Sequence, residues 1–297
     1  NRTEVTGDGL AVTDCGGVAR TGVAIQNAES IDGLQFSGNG FDRVEITSAV
    51  LAGGESITLS PTQGFQGVLF VASNVSVQPG ALLRIDSGTI LKMGFDRSVT
   101  VRGVLESLGS PTDPVVFTDE RNDARGGDSN GDGNASAPSP GWWREVAMQP
   151  TSDGSRIEFT EIEYGGRFGP SLRISNAAVT MERSVVRASA MDGIDFGSTT
   201  KPGSYDRVRV DGCGGAAMTG VRLDRLQDIT LARGAGNGLN TIEILTGVVT
   251  GAVTIEPQNQ FNGSLLVRAN VAILPGGSLN LQPGVVLKMG SGLQFVN

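Results

Sequence analysis

Residues 75–105 read VSVQPGALLRIDSGTILKMGFDRSVTVRGVL. Short runs of alternating apolar and polar residues, Val75-Ser76-Val77 and Val99-Thr100-Val101, are parted by Pro79-Gly80, Gly94 and Gly103. Period-two alternation puts one face of a strand in a core and the other in solvent. The pattern recurs in Val44-Glu45-Ile46, Ile157-Glu158-Phe159, Val208-Arg209-Val210 and Ile242-Glu243-Ile244, and no long segment carries the 3.6-residue apolar stripe of a helix. The chain reads as all-β with many short strands.

Short strands close either into an antiparallel sandwich or into a coiled solenoid. Hairpin links of the Asn-Gly type are few, Asn39-Gly40 and Asn237-Gly238 being the best. Most corners are single Gly or Asn residues followed at once by another strand, and these are the residues that tolerate the left-handed backbone of a corner. Gly makes up 44 of 297 residues and aromatics only 5%, which suits a narrow stacked interior. The expected fold is a right-handed parallel β-helix solenoid of roughly a dozen coils, a single domain over 1–297 with one long loop insertion at about 119–145.

A long internal repeat organises this domain. Cys15-Gly16-Gly17 matches Cys213-Gly214-Gly215, Thr21-Gly22-Val23 matches Thr219-Gly220-Val221, and Gly38-Asn39-Gly40 matches Gly236-Asn237-Gly238, all at an offset of 198. After a two-residue deletion Leu91-Lys92-Met93-Gly94 matches Leu287-Lys288-Met289-Gly290 at an offset of 196. The first copy spans 12–209 and the second starts at 210, giving about one and a half copies. Because the sequence stops partway through its own repeat, it is expected to be a segment of a longer array.

The succession of strand, Pro79-Gly80, strand, Leu91-Lys92-Met93-Gly94, strand and Gly103-Val104-Leu105, followed by Asp113-Pro114-Val115-Val116-Phe117-Thr118, resembles the parallel β-helix repeats of large secreted or surface-displayed bacterial proteins. Gly126-Gly127-Asp128-Ser129-Asn130-Gly131-Asp132-Gly133, then Pro140-Gly141-Trp142, is similar to the loop insertion of that group. The resemblance implies the fold and an extracellular or cell-surface location. It does not specify an activity.

Composition removes several functions. With no His in the chain, Ser-His-Asp triads, Cys-His nucleophiles and His-ligated zinc are excluded. A net charge of −8 argues against a nucleic-acid partner, which would demand a basic stripe. No apolar run is long enough to span a membrane. Some parallel β-helices degrade pectin, so a polysaccharide lyase is one alternative. The nearest groupings of carboxylates and arginine, Asp192-Gly193-Ile194-Asp195 and Arg207-Val208-Arg209-Val210-Asp211, alternate with apolar residues as ordinary outer faces do.

The chemically densest stretch is 119–145. Asp128, Asn130 and Asp132, followed by Gly133, match the first half of an EF-hand loop, whose oxygens converge on a hard cation. The match fails at the twelfth position, where Ser139 replaces a bidentate Glu. Asp119, Asp123 and Glu120 are the nearest further carboxylates. Ca2+ is therefore the expected cofactor, with Asp119, Asp123, Asp128, Asn130 and Asp132 as candidate ligands; the competing reading is a polar loop whose Asp, Asn and Gly only make turns. Trp142 and Trp143 close the loop, and as strand neighbours one should face inward, leaving the other as a candidate sugar-stacking contact.

Cys15 and Cys213 lie one repeat apart, on the order of 40 Å at ~4.8 Å per coil, far beyond disulfide reach. They are expected to be free, buried thiols. Alternation places Lys92 and Lys288 outward on a solvated face. Asn-x-Ser/Thr sequons at Asn1, Asn74, Asn134 and Asn262 are read as chance products of turn composition. The functional expectation is a structural, repeat-built extracellular protein: a fibre, stalk or surface layer whose partners are further copies of itself end to end or a longer parent chain. An adhesin or carbohydrate-binding module using loop 119–145 and surface glycans is the other alternative.

Overall fold

The computed structural model describes residues 11–31, 35–39, 41–63 and 67–296; the Asn1 sequon falls outside them. Strands pair with the strand one coil away, not with their sequence neighbours. Val75 lies beside Val99, Val99 beside Val146, and Val146 beside Leu172, all in parallel. The result is a parallel β-solenoid of about eleven turns. Its main faces are an eight-stranded sheet running from Val18–Ala24 to Arg209–Asp211, a twelve-stranded sheet running from Val50–Leu51 to Leu287–Met289, and a seven-stranded sheet running from Ser56–Leu59 to Ile229–Thr230.

Alternation explains the core. Every second residue points inward, and parallel register stacks each on its counterpart one coil away. On the eight-stranded face Val44, Leu69, Leu91, Phe117, Ile162, Val186 and Val210 form one such ladder, each essentially sealed from solvent. A buried aliphatic side chain contributes about 1.5–3 kcal/mol, so stability accumulates coil by coil. Backbones approach closely at the corners. A Cβ on Gly103 would sit 2.3 Å from the Ala81 carbonyl oxygen, which only glycine allows.

Asparagine stitches adjacent coils. Cys15 N–H donates to Asn39 Oδ1 and Cys213 N–H donates to Asn237 Oδ1, each at 2.9 Å across 24 residues. The same asparagines donate to the carbonyls of Val12 and Val210, both at 2.8 Å. Even an irregularity recurs. Val18–Ala24 pairs with Phe41–Ser48 through register shifts that reappear between Ala216–Arg222 and Leu239–Val249. The two pairs lie in different sheets, the first in the eight-stranded and the second in the twelve-stranded one. A repeat therefore does not close on a whole number of coils, and its strands advance by one face.

Three expectations require correction. Cys213 is buried but Cys15 is exposed, although both are free thiols. Lys92 points outward yet has no solvent exposure, because a loop covers it; Lys288 is exposed as expected. Corners are not confined to Gly and Asn either. Phe159, Arg183, Arg207 and Leu231 occupy one corner in four successive coils, all with φ between 43° and 54°. The stacked coils hold these residues in a left-handed conformation that costs on the order of 1–2 kcal/mol each.

Candidate metal centre and its covering loop

The strand Val115–Asp119 on the eight-stranded face leads to Val146–Met148 on the twelve-stranded face, and the chain between them folds back over the outer surface of the eight-stranded face. Gly126 lies so flat against Val68 that a Cβ would sit 2.1 Å from its Cγ2, and its φ of 69° is again a conformation that favours glycine. Lys92 donates to the Gly127 carbonyl at 2.6 Å, and Arg43 reaches the Ser129 carbonyl at 3.3 Å. Arg43 also stacks on Phe70, its guanidinium carbon 4.0 Å from the ring centroid. Phe70, Lys92 and Thr118 are neighbours in one outward ladder, and the loop buries all three.

The root of the loop is an ionic cluster around Glu163, which is fully buried. Its carboxylate accepts hydrogen bonds from Arg125 (Nε 3.1 Å, Nη2 2.7 Å), Arg187 (Nε 3.1 Å), Thr118 Oγ1 (3.0 Å) and Asn122 Nδ2 (3.0 Å). Arg125 and Arg187 also reach Glu161. Burial alone would raise the Glu163 carboxyl, but the charges of Arg187 and Arg125 and the Arg187 hydrogen bond hold it below the usual range. Two guanidiniums against two carboxylates balance, the condition under which buried charge is tolerated. Trp143 is sealed in the core beside this cluster and donates its indole N–H to the Glu163 carbonyl at 2.8 Å. Trp142 remains half-exposed, so one tryptophan does pack inward.

Of the five candidate ligands, Asp123, Asp128 and Asp132 converge, with carboxylate oxygens within 4.8 Å of one another. Asp128 organises the turn by accepting the backbone N–H groups of Gly131, Asp132 and Gly133 at 2.7, 3.2 and 2.8 Å. Asn130 joins them, donating to Asp132 Oδ2 at 2.9 Å. Asp123 Oδ1, Asn130 Oδ1 and Asp132 Oδ1 are all buried without a hydrogen-bond partner. Unpaired buried oxygens are costly, and an oxygen-seeking cation would satisfy them. Desolvation raises the Asp123 carboxyl, and the Asp128 charge raises it further. The Lys92 charge pulls the Asp123 carboxyl the other way. Burial lowers its ammonium to about 8, against the pull of Asp123, Asp128 and Asp119.

Asp119 stands apart from the trio. It is fully buried, and its carboxylate accepts Arg121 Nε at 3.0 Å, Arg121 Nη2 at 2.7 Å and the Ser139 N–H at 3.0 Å. Ser139, at the missing twelfth position, is thus tied to the loop's root. Glu120 accepts the Trp142 indole N–H at 3.1 Å. The carboxylates weighed as lyase groups are engaged elsewhere: Asp192 accepts the Ala216 N–H at 2.7 Å, Asp195 pairs with Arg173 and Asp211 with Arg209.

The covering of Lys92 and the parts played by Arg125 and Glu163 escaped sequence reading. Lys92 and Glu163 alternate as outer-face residues should, and only the long insertion after Asp119 hints that a face is covered. No protein-family model matches the sequence, and neither the curated proteins nor the solved structures yield a match.

Proposed function

We propose that the chain is a segment of a repeat-built structural rod displayed outside a bacterial cell, as part of a fibre, stalk or surface layer. One observation carries the reading: the repeat junction is not a domain boundary. Ile194–Asp195 pairs with Ala216–Arg222, which pairs with Leu239–Val249, and the buried core runs through Val210, Cys213, Met218, Val221 and Ile242 without a break. Units joined by a continuous core extend as one stiff body, not as beads on a linker. Further copies of the unit, in the same chain or end to end, are the natural partners.

In this reading loop 119–145 is a clamp, and Ca2+ held by Asp123, Asp128, Asn130 and Asp132 fastens it. The site has a surplus of carboxylate over ammonium and orphaned oxygens. Calcium sites of extracellular modules fill at about 10⁻⁴–10⁻³ M, which fits display outside the cell. The absence of His and the commitment of outer carboxylates to arginine favour a structural role over catalysis.

Chains extended by one and by two further units, imaged in negative stain, test the rod. Particles of constant width that lengthen by roughly 35 Å per unit, at ~4.8 Å per coil, support it. Flexibly linked beads would refute it.

A further inference from the structure

Away from the covered face, the solenoid exposes one apolar row. The corner leading from the eight-stranded to the twelve-stranded face carries Phe95, Trp142, Phe168 and Met191 in four successive coils. Phe95 is 46% exposed, Phe168 69% and Met191 48%. Among the described residues ahead of Leu231, Val50 is the only other large apolar side chain so exposed. Phe95, Phe168 and Met191 lie outside the buried core, so core packing does not account for them.

Arginine fills the gaps between the rings. The Arg167 guanidinium lies 4.1 Å from the Phe95 centroid and 5.1 Å from that of Phe168, and Arg144 lies 5.4 Å from Phe168. Both arginines converge on Asp96, Arg144 through two bonds of 2.8 Å and Arg167 at 3.3 Å. Arg97 also lies near Asp96 and Glu145 near Arg144, so three guanidiniums face two carboxylates here, on a chain of net charge −8. Trp142 is a supporting wall: Phe95 meets it edge-on at 4.9 Å, and Arg121 stacks 3.4 Å over its ring.

We propose that this ridge binds a carboxylate-bearing polysaccharide. Pyranose rings carry an apolar C–H face that lies against the electron-rich faces of Phe168 and Phe95. Uronate carboxylates accept hydrogen bonds from the guanidinium edges of Arg144 and Arg167 that are not turned to Asp96. The row follows the solenoid axis from coil to coil, at ~4.8 Å steps, so a linear repeating ligand can meet successive corners. A second protein is a poor occupant. A stable protein interface needs about 800 Å² per partner, more than a row one side chain wide supplies. The inference does not depend on the rod or on calcium.

Native-gel affinity electrophoresis in EDTA tests it, with polygalacturonate as the probe and dextran as the neutral control. Polygalacturonate is expected to retard the protein and dextran is not. Phe168→Ala and Arg167→Gln are each expected to weaken retardation about tenfold, with melting temperature unchanged for Phe168→Ala, whose side chain is 69% exposed. No retardation by polygalacturonate, equal retardation by dextran, or retardation that survives both substitutions overturns the proposal. If Arg167→Gln lowers the melting temperature, Arg144→Gln replaces it under the same criterion.

Discussion

The tetrapeptide Leu-Lys-Met-Gly occurs at 91–94 and again at 287–290, on strands that pair in the same register: Phe70 beside Lys92 and Leu266 beside Lys288. In the first copy all four residues are buried; in the second Lys288 is exposed and its neighbours are half-buried. Identical local sequence produces the same strand and the same side-chain directions, because alternation is a backbone property. Burial of the outer face is decided elsewhere. Loop 119–145 lies on Lys92, and among the described residues no loop lies on Lys288. A lysine that is an ordinary solvated side chain in one copy thereby becomes a desolvated cation beside three aspartates in the other.

Substitutions placed in matched pairs can break this contrast. The largest effect is expected at the root of the covering loop. Glu163→Ala leaves Arg125 and Arg187 without their buried partner and should cost about 3–5 kcal/mol, read as a fall in denaturant midpoint. An effect below 1 kcal/mol would mean that the loop is not anchored there. Lys92→Ala should cost on the order of 2–3 kcal/mol, against no more than ~0.5 kcal/mol for Lys288→Ala. Equal losses at the two lysines would erase the contrast.

The protonation of Lys92 sharpens the same point in EDTA. Its folded value of about 8 lies below the ordinary 10.5, so above pH 8 the unfolded chain holds the proton that the folded chain has released. Stability of the wild type relative to Lys92→Met should therefore rise as pH climbs from 8 towards 10. A flat difference would place the ammonium in water. Calcium should act more modestly. At tenfold over its dissociation constant it adds about 1.4 kcal/mol, seen as a melting-temperature rise that Asp128→Ala with Asp132→Ala abolishes. No heat in calorimetric titration up to several millimolar Ca2+ would leave the trio as a turn-forming cluster. The smallest effect concerns the cysteines. Cys15 should react with a thiol reagent in the native state. Cys213, whose thiol burial pushes up to about 11, should react only after denaturation, and a native reaction of both would contradict the stacking at the junction.

Much of the solenoid was legible because alternation and glycine punctuation are local signals. Val99-Thr100-Val101 announces its two faces, and the 198-residue offset shows that a unit recurs. What was illegible depends on neighbours one coil away. Nothing around Phe159, Arg183 or Leu231 signals a left-handed corner; stacked coils impose it. The short 3-10 turns Ile25–Ile31 and Leu223–Asp228 are too brief to show an apolar stripe. At the candidate site, the spacing of Asp128, Asn130 and Asp132 was readable as a turn that gathers oxygens. The pairing of Asp119 with Arg121, and the contribution of Asp123, depend on how the loop folds onto the sheet. Sequence shows that a loop is long and acidic, but not which of its carboxylates an arginine will claim.

The continuity of the solenoid across the repeat junction is tested most directly by a distance measurement. Spin labels at Arg84→Cys and Asn280→Cys, with Cys15 and Cys213 replaced by Ala, mark exposed positions one repeat apart. Pulsed electron spin resonance should give a single narrow distribution centred roughly 30–40 Å apart, from about seven coils at ~4.8 Å. A broad distribution, or a mean far outside that range, would show two bodies joined by a flexible hinge and would contradict the rod.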